Sequence, residues 1–296
     1  MTRQGTIAGM DTAADRAALA PRDDDAGTRQ LDRRAMVGRL LRRAVVAISL
    51  TVVFAQAAMF AIGWIVWRDW IPLGLDWLGY RAGFFRLLST GTPYAPFELA
   101  GPFHPEHLDF IHPPNVLPLI APFAVLPQPL DYILFVGIPI AIYIYLLRGM
   151  AWWGWPIVAF LTTTNSLQYP ILNGNSSLWF CAAFGLGIRY GWPVGIIAMK
   201  PSLAPLAIVG LRRPIPTFIL AVVPMLVTLP LFPTYLIALR NMDVPWWYSF
   251  GNYSLIALAA LPWLVEKLPE WVAWLRAGGW RGTRVAGAHS HEIDIA

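Results

Sequence analysis

Long stretches without a charged residue set the rhythm of this chain. From Ala44 to Trp67 there is no Asp, Glu, Lys or Arg. A buried strand never runs that far, whereas a tilted helix crossing a bilayer needs roughly 20 apolar residues, so a first transmembrane helix is expected there. Charge-free gaps recur at Met150–Ile188, Pro214–Leu239 and Val244–Val265. The first of these is too long for one crossing and is divided by the polar turn Gln168-Tyr-Pro-Ile-Leu-Asn-Gly-Asn-Ser-Ser177. Backbone at membrane depth must satisfy its own hydrogen bonds, as helix or as closed barrel. The short apolar–polar alternation of barrel strands is absent. Further spans are expected at 114–127, 131–147, 152–168, 175–189, 193–211, 215–238 and 252–266. With the first they make about eight, and the expected fold is all-α, a polytopic integral membrane protein.

The polar segments complete the plan. Residues 1–35 are rich in Ala, Asp, Arg, Gly and Thr and are expected to form a solvated cytoplasmic tail. Arg33, Arg34, Arg39, Arg42 and Arg43 stand just before the first apolar run, which puts the N-terminus inside by the positive-inside rule. Residues 36–276 then form one membrane domain, followed by a second cytoplasmic tail over 277–296. Between 68 and 113 lies a long outer loop holding most of the ionisable residues outside the tails. Within it, Leu75 to Leu88 has helical apolar spacing with Trp and Tyr, the pattern of an amphipathic helix at the interface. Counting eight spans keeps Arg212 and Arg213 inside and Asp76 and Asn252 outside, and it sends Arg148 and Arg189 outside.

Composition agrees with a membrane solvent. The 296 residues are 57% hydrophobic and 13% charged, against about a quarter charged in soluble domains. The formal charge of +5 belongs to basic residues flanking apolar runs, so membrane orientation accounts for it and nucleic acid does not. Cys181 is the only cysteine, which excludes an intrachain disulfide and a cysteine-based zinc site.

Few residues carry candidate chemistry. Asp76 sits in Gly74-Leu-Asp-Trp-Leu-Gly-Tyr80 at the membrane boundary, where partial desolvation favours a basic carboxylate; the same place suits a helix-capping aspartate. Lys200 is the one charge between Trp192 and Leu211. A lysine at mid-bilayer costs roughly 2.5–3.5 kcal/mol, so it should face a cavity or an anion such as a lipid phosphate, unless the Pro201 break lets it snorkel. His104, His107 and His112 share a loop with Glu106 and Asp109, but the intervening prolines oppose helical presentation of metal ligands, and no metal site is expected. No Gly-rich phosphate loop or strand–helix alternation appears, and no nucleotide or other cofactor is expected.

The order of these features resembles glycosyltransferase family 87, the polyprenol-phosphate-mannose-dependent membrane transferases of the GT-C superfamily. The resemblance runs through Asp76 to Tyr80, Gly91-Thr-Pro-Tyr94, His112-Pro-Pro114, Ala121-Pro-Phe-Ala-Val-Leu-Pro127, Gly174-Asn-Ser-Ser177, Lys200-Pro201, Arg212-Arg213 and Asn252-Tyr-Ser254. Asn175 stands where family members carry Gln, and the chain ends soon after Ser254. The resemblance implies a GT-C-like fold and an inverting sugar transfer on the outer face of the cell membrane. The donor would be a polyprenyl-phosphate sugar entering from the bilayer, and the acceptor a lipid or glycan. Asp76 would be the general base. Lys200, with Arg81 or His112, would bind the donor phosphate, and Tyr80, Tyr94, Asn175 and Asn252 would contact sugar or lipid. Two alternatives stay open: a noncatalytic relative working with a membrane partner subunit, and a transporter or lipid flippase built on Pro-broken helices.

Overall fold

The computed structural model describes residues 23–67, 73–105, 109–163, 168–243 and 253–276. The all-α expectation holds: these residues are helical with turns and loops, and among them the only β pairing is an isolated bridge between Phe103 and Met242. In chain order the α-helices are α1 (Asp23–Trp67), α2 (Leu75–Thr90), α3 (Pro96–Ala100), α4 (Leu117–Ala124), α5 (Leu130–Leu147), α6 (Trp155–Thr163), α7 (Gln168–Asn173), α8 (Ser177–Tyr190), α9 (Pro214–Val227), α10 (Phe232–Asn241) and α11 (Tyr253–Arg276). Two 3-10 segments, Trp192–Met199 and Pro201–Arg212, lie between α8 and α9. Among the described residues, Gln30–Gly63 within α1 and the whole of α5 are long and apolar enough to cross a membrane. The pair α9 and α10, bent by 53° at its break, is a third if it is one span.

α1 begins twelve residues earlier than the end of the expected tail and carries the arginine cluster on helix. Its Ala, Leu and Arg content favours helix. It packs on α6, where Gln168 at the head of α7 donates to Gln56 at 3.1 Å. The expected interfacial helix is α2, but it does not lie apart. It buries Leu75, Trp77, Gly79, Tyr80 and Gly83 against α4 and α7, and a side chain at Gly83 would meet the Phe110 ring at 2.6 Å.

The expected span 193–211 is instead a hairpin. Its two 3-10 arms pack on each other and on α8 and α9, and Lys200 is the residue between them. Pro193, Pro201 and Pro205 withhold backbone donors, which suits the tighter coil. Both ends of the hairpin return to the same place: Gly191 faces the Arg212 and Arg213 side chains, and Arg212 Nη1 reaches the Ile188 carbonyl at 3.5 Å. Glycines make this close packing possible. Gly187 meets Val194, Gly195 meets the Thr217 carbonyl, and a methyl on Gly210 would lie 2.5 Å from Thr217.

The expected span 114–127 also fails to leave its starting end. His112, before it, contacts Tyr80, and Ala124, at its end, accepts from Arg81 Nε at 3.3 Å, so both ends return to α2. With that segment and the hairpin both turning back, the basic residues regroup. Arg189 lies 5.2 Å from the Tyr145 ring, the Tyr145 and Tyr190 hydroxyls touch, and Arg148 follows Tyr145 closely. Arg148, Arg189, Arg212 and Arg213 therefore share one end of the bundle, whereas the eight-span expectation puts Arg148 and Arg189 on the side opposite Arg212 and Arg213. Asp76, Glu98, His112 and Asp131 belong to the other end.

Candidate functional site

Two glycine turns bring the site's halves together. Gly74 precedes α2 at φ 77° and Gly174 precedes α8 at φ 65°, left-handed conformations that other residues adopt at a cost. The Gly74 N–H donates to the Leu172 carbonyl at 2.7 Å, and a methyl on Gly174 would sit 2.8 Å from Trp77 Cβ. The N-terminus of α2 is thus held against the turn between α7 and α8.

Across that contact, Asn175 Nδ2 donates to Asp76 Oδ2 at 2.6 Å, and Asn175 Oδ1 accepts the Ser177 N–H at 2.9 Å. One turn further along α2, the Tyr80 hydroxyl lies 3.2 Å from His112 Nε2 and 3.3 Å from both the Oγ and the N of Ser176. Lys200, at the tip of the hairpin, donates to Ser177 Oγ at 3.5 Å. It is also close enough to Asp76 and His112 for their charges to interact. Asp76, Asn175 and Lys200 are each half-buried, so the cluster opens to the surface on one side.

The electrostatics are mixed by design. The α8 N-terminus contributes a partial positive charge beside the Lys200 ammonium, and Asp76 is the nearby anion. Burial, and then the charge of Lys200, lower His112 to about 3, so its ring is neutral. Its residue as a whole is half-buried, but Nδ1 is shielded and makes no hydrogen bond. What matters for titration is this shielding of the ring nitrogens, so the neutral form follows.

Of the candidates named from sequence, Asp76, Tyr80, His112, Asn175 and Lys200 meet here. Arg81 does not join them: its Nε faces Asp131 Oδ2 at 3.3 Å, and its guanidinium lies 5.2 Å from the Phe85 ring. Tyr94 is buried, packs on Phe110 and Tyr235, and donates its hydroxyl to the His112 carbonyl at 2.8 Å, holding that loop from behind. Asn252, Glu106 and His107 lie outside the described residues. Among the described residues no three His, Cys, Asp or Glu side chains gather as metal ligands.

Sequence reasoning missed Ser176, Ser177 and Asp131. The serines stand in a turn that reads as a break and as a resemblance motif, from which only Asn175 emerges as a site residue. Asp131 heads an otherwise charge-free run to Leu147, and a lone carboxylate in that place is a signal in itself. Two cavities lie apart from the cluster's residues. One, of about 10 Å³, is bounded by Tyr94, Phe110 and Tyr235 and is at the lower limit for a single water. The other, an open depression of about 470 Å³, is lined by Pro102 and 240–243. Neither includes Asp76 or Lys200, and the chemistry follows the side-chain cluster. No family model, curated protein or solved structure matches the chain.

Proposed function

We propose that this chain is a membrane glycosyltransferase that moves a sugar, mannose by the family 87 resemblance, from a polyprenyl monophosphate to a hydroxyl of a lipid or glycan. The observation that carries the reading is the meeting of Asp76 with Asn175 at 2.6 Å beside Tyr80, His112 and Lys200. These residues come from four separate parts of the chain. A carboxylate, a cation and a helix N-terminus at one half-open place suit a reaction that deprotonates a hydroxyl while a phosphate departs.

In this mechanism Asp76 accepts the acceptor's hydroxyl proton. The oxygen attacks the anomeric carbon, the bond from that carbon to the phosphate oxygen breaks, and configuration inverts. The electron pair leaves with the lipid phosphate, whose growing charge meets Lys200 and the α8 N-terminus. His112, neutral, brings no charge there, and its Nε2 faces the Tyr80 hydroxyl. Asn175 orients the Asp76 carboxylate.

The membrane topology proposed with it has six crossings: α1, α5, α6 with α7, α8, α9, and α11. The segment 114–124 and the Lys200 hairpin are re-entrant. All the basic groups at the Arg148 end are then cytoplasmic with both termini, and the site is on the outer face. At about 2.0 Å rise per residue, the first hairpin arm lifts Lys200 roughly 16 Å from the inner end, about half the hydrocarbon thickness. The side chain covers the remaining distance to Ser177.

The test is transfer of radiolabelled mannose from polyprenyl-phosphate-mannose to a membrane lipid extract by the purified, reconstituted chain, with Asp76→Asn beside it. Turnover lost in the variant while it still inserts is expected. Equal transfer by both removes Asp76 as base. No transfer by either, with other polyprenyl-phosphate sugars tried, replaces the reading with the noncatalytic relative or the transporter.

A further inference from the structure

The carboxylate and amide of the Asp76–Asn175 pair come from different helices, so something must hold those helices in register. The first turn of α5 touches both. Asp131 has no exposed surface, and its Oδ2 accepts from Trp77 Nε1 at 3.1 Å and pairs with Arg81 Nε at 3.3 Å. These two partners flank Asp76 and Tyr80 along α2. The next residue grips the opposite half. The Tyr132 hydroxyl donates to the Ile171 and Leu172 carbonyls at 2.5 and 3.0 Å, just before Gly174 and Asn175. The Tyr132 ring fills the space over both glycines: a methyl on Gly74 would meet it at 3.0 Å, and one on Gly174 at 3.1 Å. The two residues are tied to each other as well, since Asp131 Oδ1 accepts the Tyr132 N–H at 2.7 Å.

We infer that Asp131 and Tyr132 form a clamp that sets the distance between Asp76 and Asn175, and that they are positioning residues for sugar transfer. Neither is bonded to the cluster that does the chemistry, yet each fixes one of its walls. Buried ion pairs often give little net stability, because desolvation offsets their attraction. The consequence of this pair is therefore geometric, and a reacting group displaced by about 1 Å can lose about 10²-fold in rate. The kinetic consequence rests on the glycosyltransferase reading; the geometric one does not.

The experiment therefore has two arms, both on the full chain in lipid nanodiscs. In the first, cysteines are placed in pairs at Asp76→Cys with Asn175→Cys, and at Tyr145→Cys with Tyr190→Cys as a distant control. Their reaction with a short bifunctional thiol reagent is timed with and without Tyr132→Phe or Asp131→Asn. The expected result is crosslinking of the 76/175 pair slowed several-fold by either change, with the 145/190 pair unaffected. Tyr132→Phe keeps the ring and removes only the hydroxyl, so it reports even if Asp131→Asn does not fold. Unchanged 76/175 crosslinking in Tyr132→Phe overturns the clamp. In the second arm, the same substitutions in the otherwise native chain should lower kcat about 10²-fold with donor KM nearly constant. A rise in KM at unchanged kcat overturns the positioning role. Slowed crosslinking in a chain that shows no wild-type transfer upholds the clamp's geometry and removes the transferase reading alone.

Discussion

Glu98 shows how much one buried carboxylate can govern at the residue scale. It has no exposed surface; Oε2 accepts the Ala95 N–H at 2.9 Å, and Oε1 has no bond of normal geometry. Burial pushes it up from 4.5 to about 7; the Ala95 N–H opposes the rise, Asp109 adds to it, and the Arg86 charge and the Phe110 N–H also oppose it. The folded chain then binds this proton more tightly than the unfolded one, so stability rises as pH falls from about 7 to 4.5. His112 acts in the opposite sense. Its folded value is lowered from 6.5 to about 3, so acid favours the unfolded chain from about 6.5 downward. Between 4.5 and 6.5 the two slopes oppose each other. Glu98→Gln should therefore raise the Tm at pH 8, by relief of a buried charge on the order of 1–2 kcal/mol, and should lose Tm more steeply with acid than the native chain. Parallel Tm profiles for the two would show that Glu98 does not titrate in this range. A second expectation concerns activity. Because His112 is neutral at neutral pH, His112→Asn should lower transfer without changing the shape of its pH profile between about 5 and 8. A limb near 6.5 present in the native chain and absent from the variant would show a titrating His112.

At the element scale, the division between what the pattern revealed and what it hid has a physical cause. Charge-free length identified the apolar part of α1, the expected span 131–147 corresponds to α5, and apolar helical spacing over Leu75 to Leu88 identified α2, which runs to Thr90. Length alone could not tell a crossing from a hairpin. The run 192–211 is as apolar as a span, but three prolines and the small residues Gly187, Gly195 and Gly210 fold it back at Lys200. Much of the candidate site was legible for a similar reason. Asp76 and Lys200 are charged residues in apolar settings where polarity needs a partner, whereas Tyr80, His112 and Asn175 enter through the motif resemblance. The partners of Asp131 and the two serines were hidden because they lie on other helices, which no local pattern records, although the lone carboxylate of Asp131 marks its position. The hairpin account has its own test. Gly195→Val or Gly210→Val forces a side chain into Thr217 and should cost about 1–3 kcal/mol, while lowering transfer by shifting the Lys200 tip. Gly137→Ala, on α5 with open space around it, should leave transfer unchanged and stability level or slightly higher. If both valine variants keep full transfer, the hairpin's seating does not set the position of Lys200.

For the whole molecule, the decisive quantity is which end each charge occupies. An eight-span path would send Arg148 and Arg189 outward and leave Arg212 inward, although in the structure Arg189 stacks on Tyr145 and Arg212 reaches Ile188. The proposed topology, with two re-entrant segments and six crossings, would remove the conflict by placing all of these arginines at the cytoplasmic leaflet, and would place His104, which pairs with Asp243 at 3.5 Å, on the outer side. The helices are short for this proposed path: α8 has 14 residues, about 21 Å, so the proposal requires the bilayer to thin or the site to admit water from outside. A water-accessible outer vestibule is what an acceptor glycan would need to reach Asp76. Single cysteines at Arg148, Arg189, Arg212, His104 and Asp243 can decide the matter, since Cys181 is buried and should stay unlabelled. With a membrane-impermeant maleimide on intact cells, His104→Cys and Asp243→Cys should label, and the three arginine positions should label only after permeabilisation. Labelling of Arg148→Cys in intact cells while Arg212→Cys stays protected would restore the longer path, and with it a Lys200 that crosses the bilayer's middle on a spanning helix. The phosphate would then have to meet its cation without the hairpin, and the link between the Lys200 tip and the α8 N-terminus would lose its mechanistic meaning.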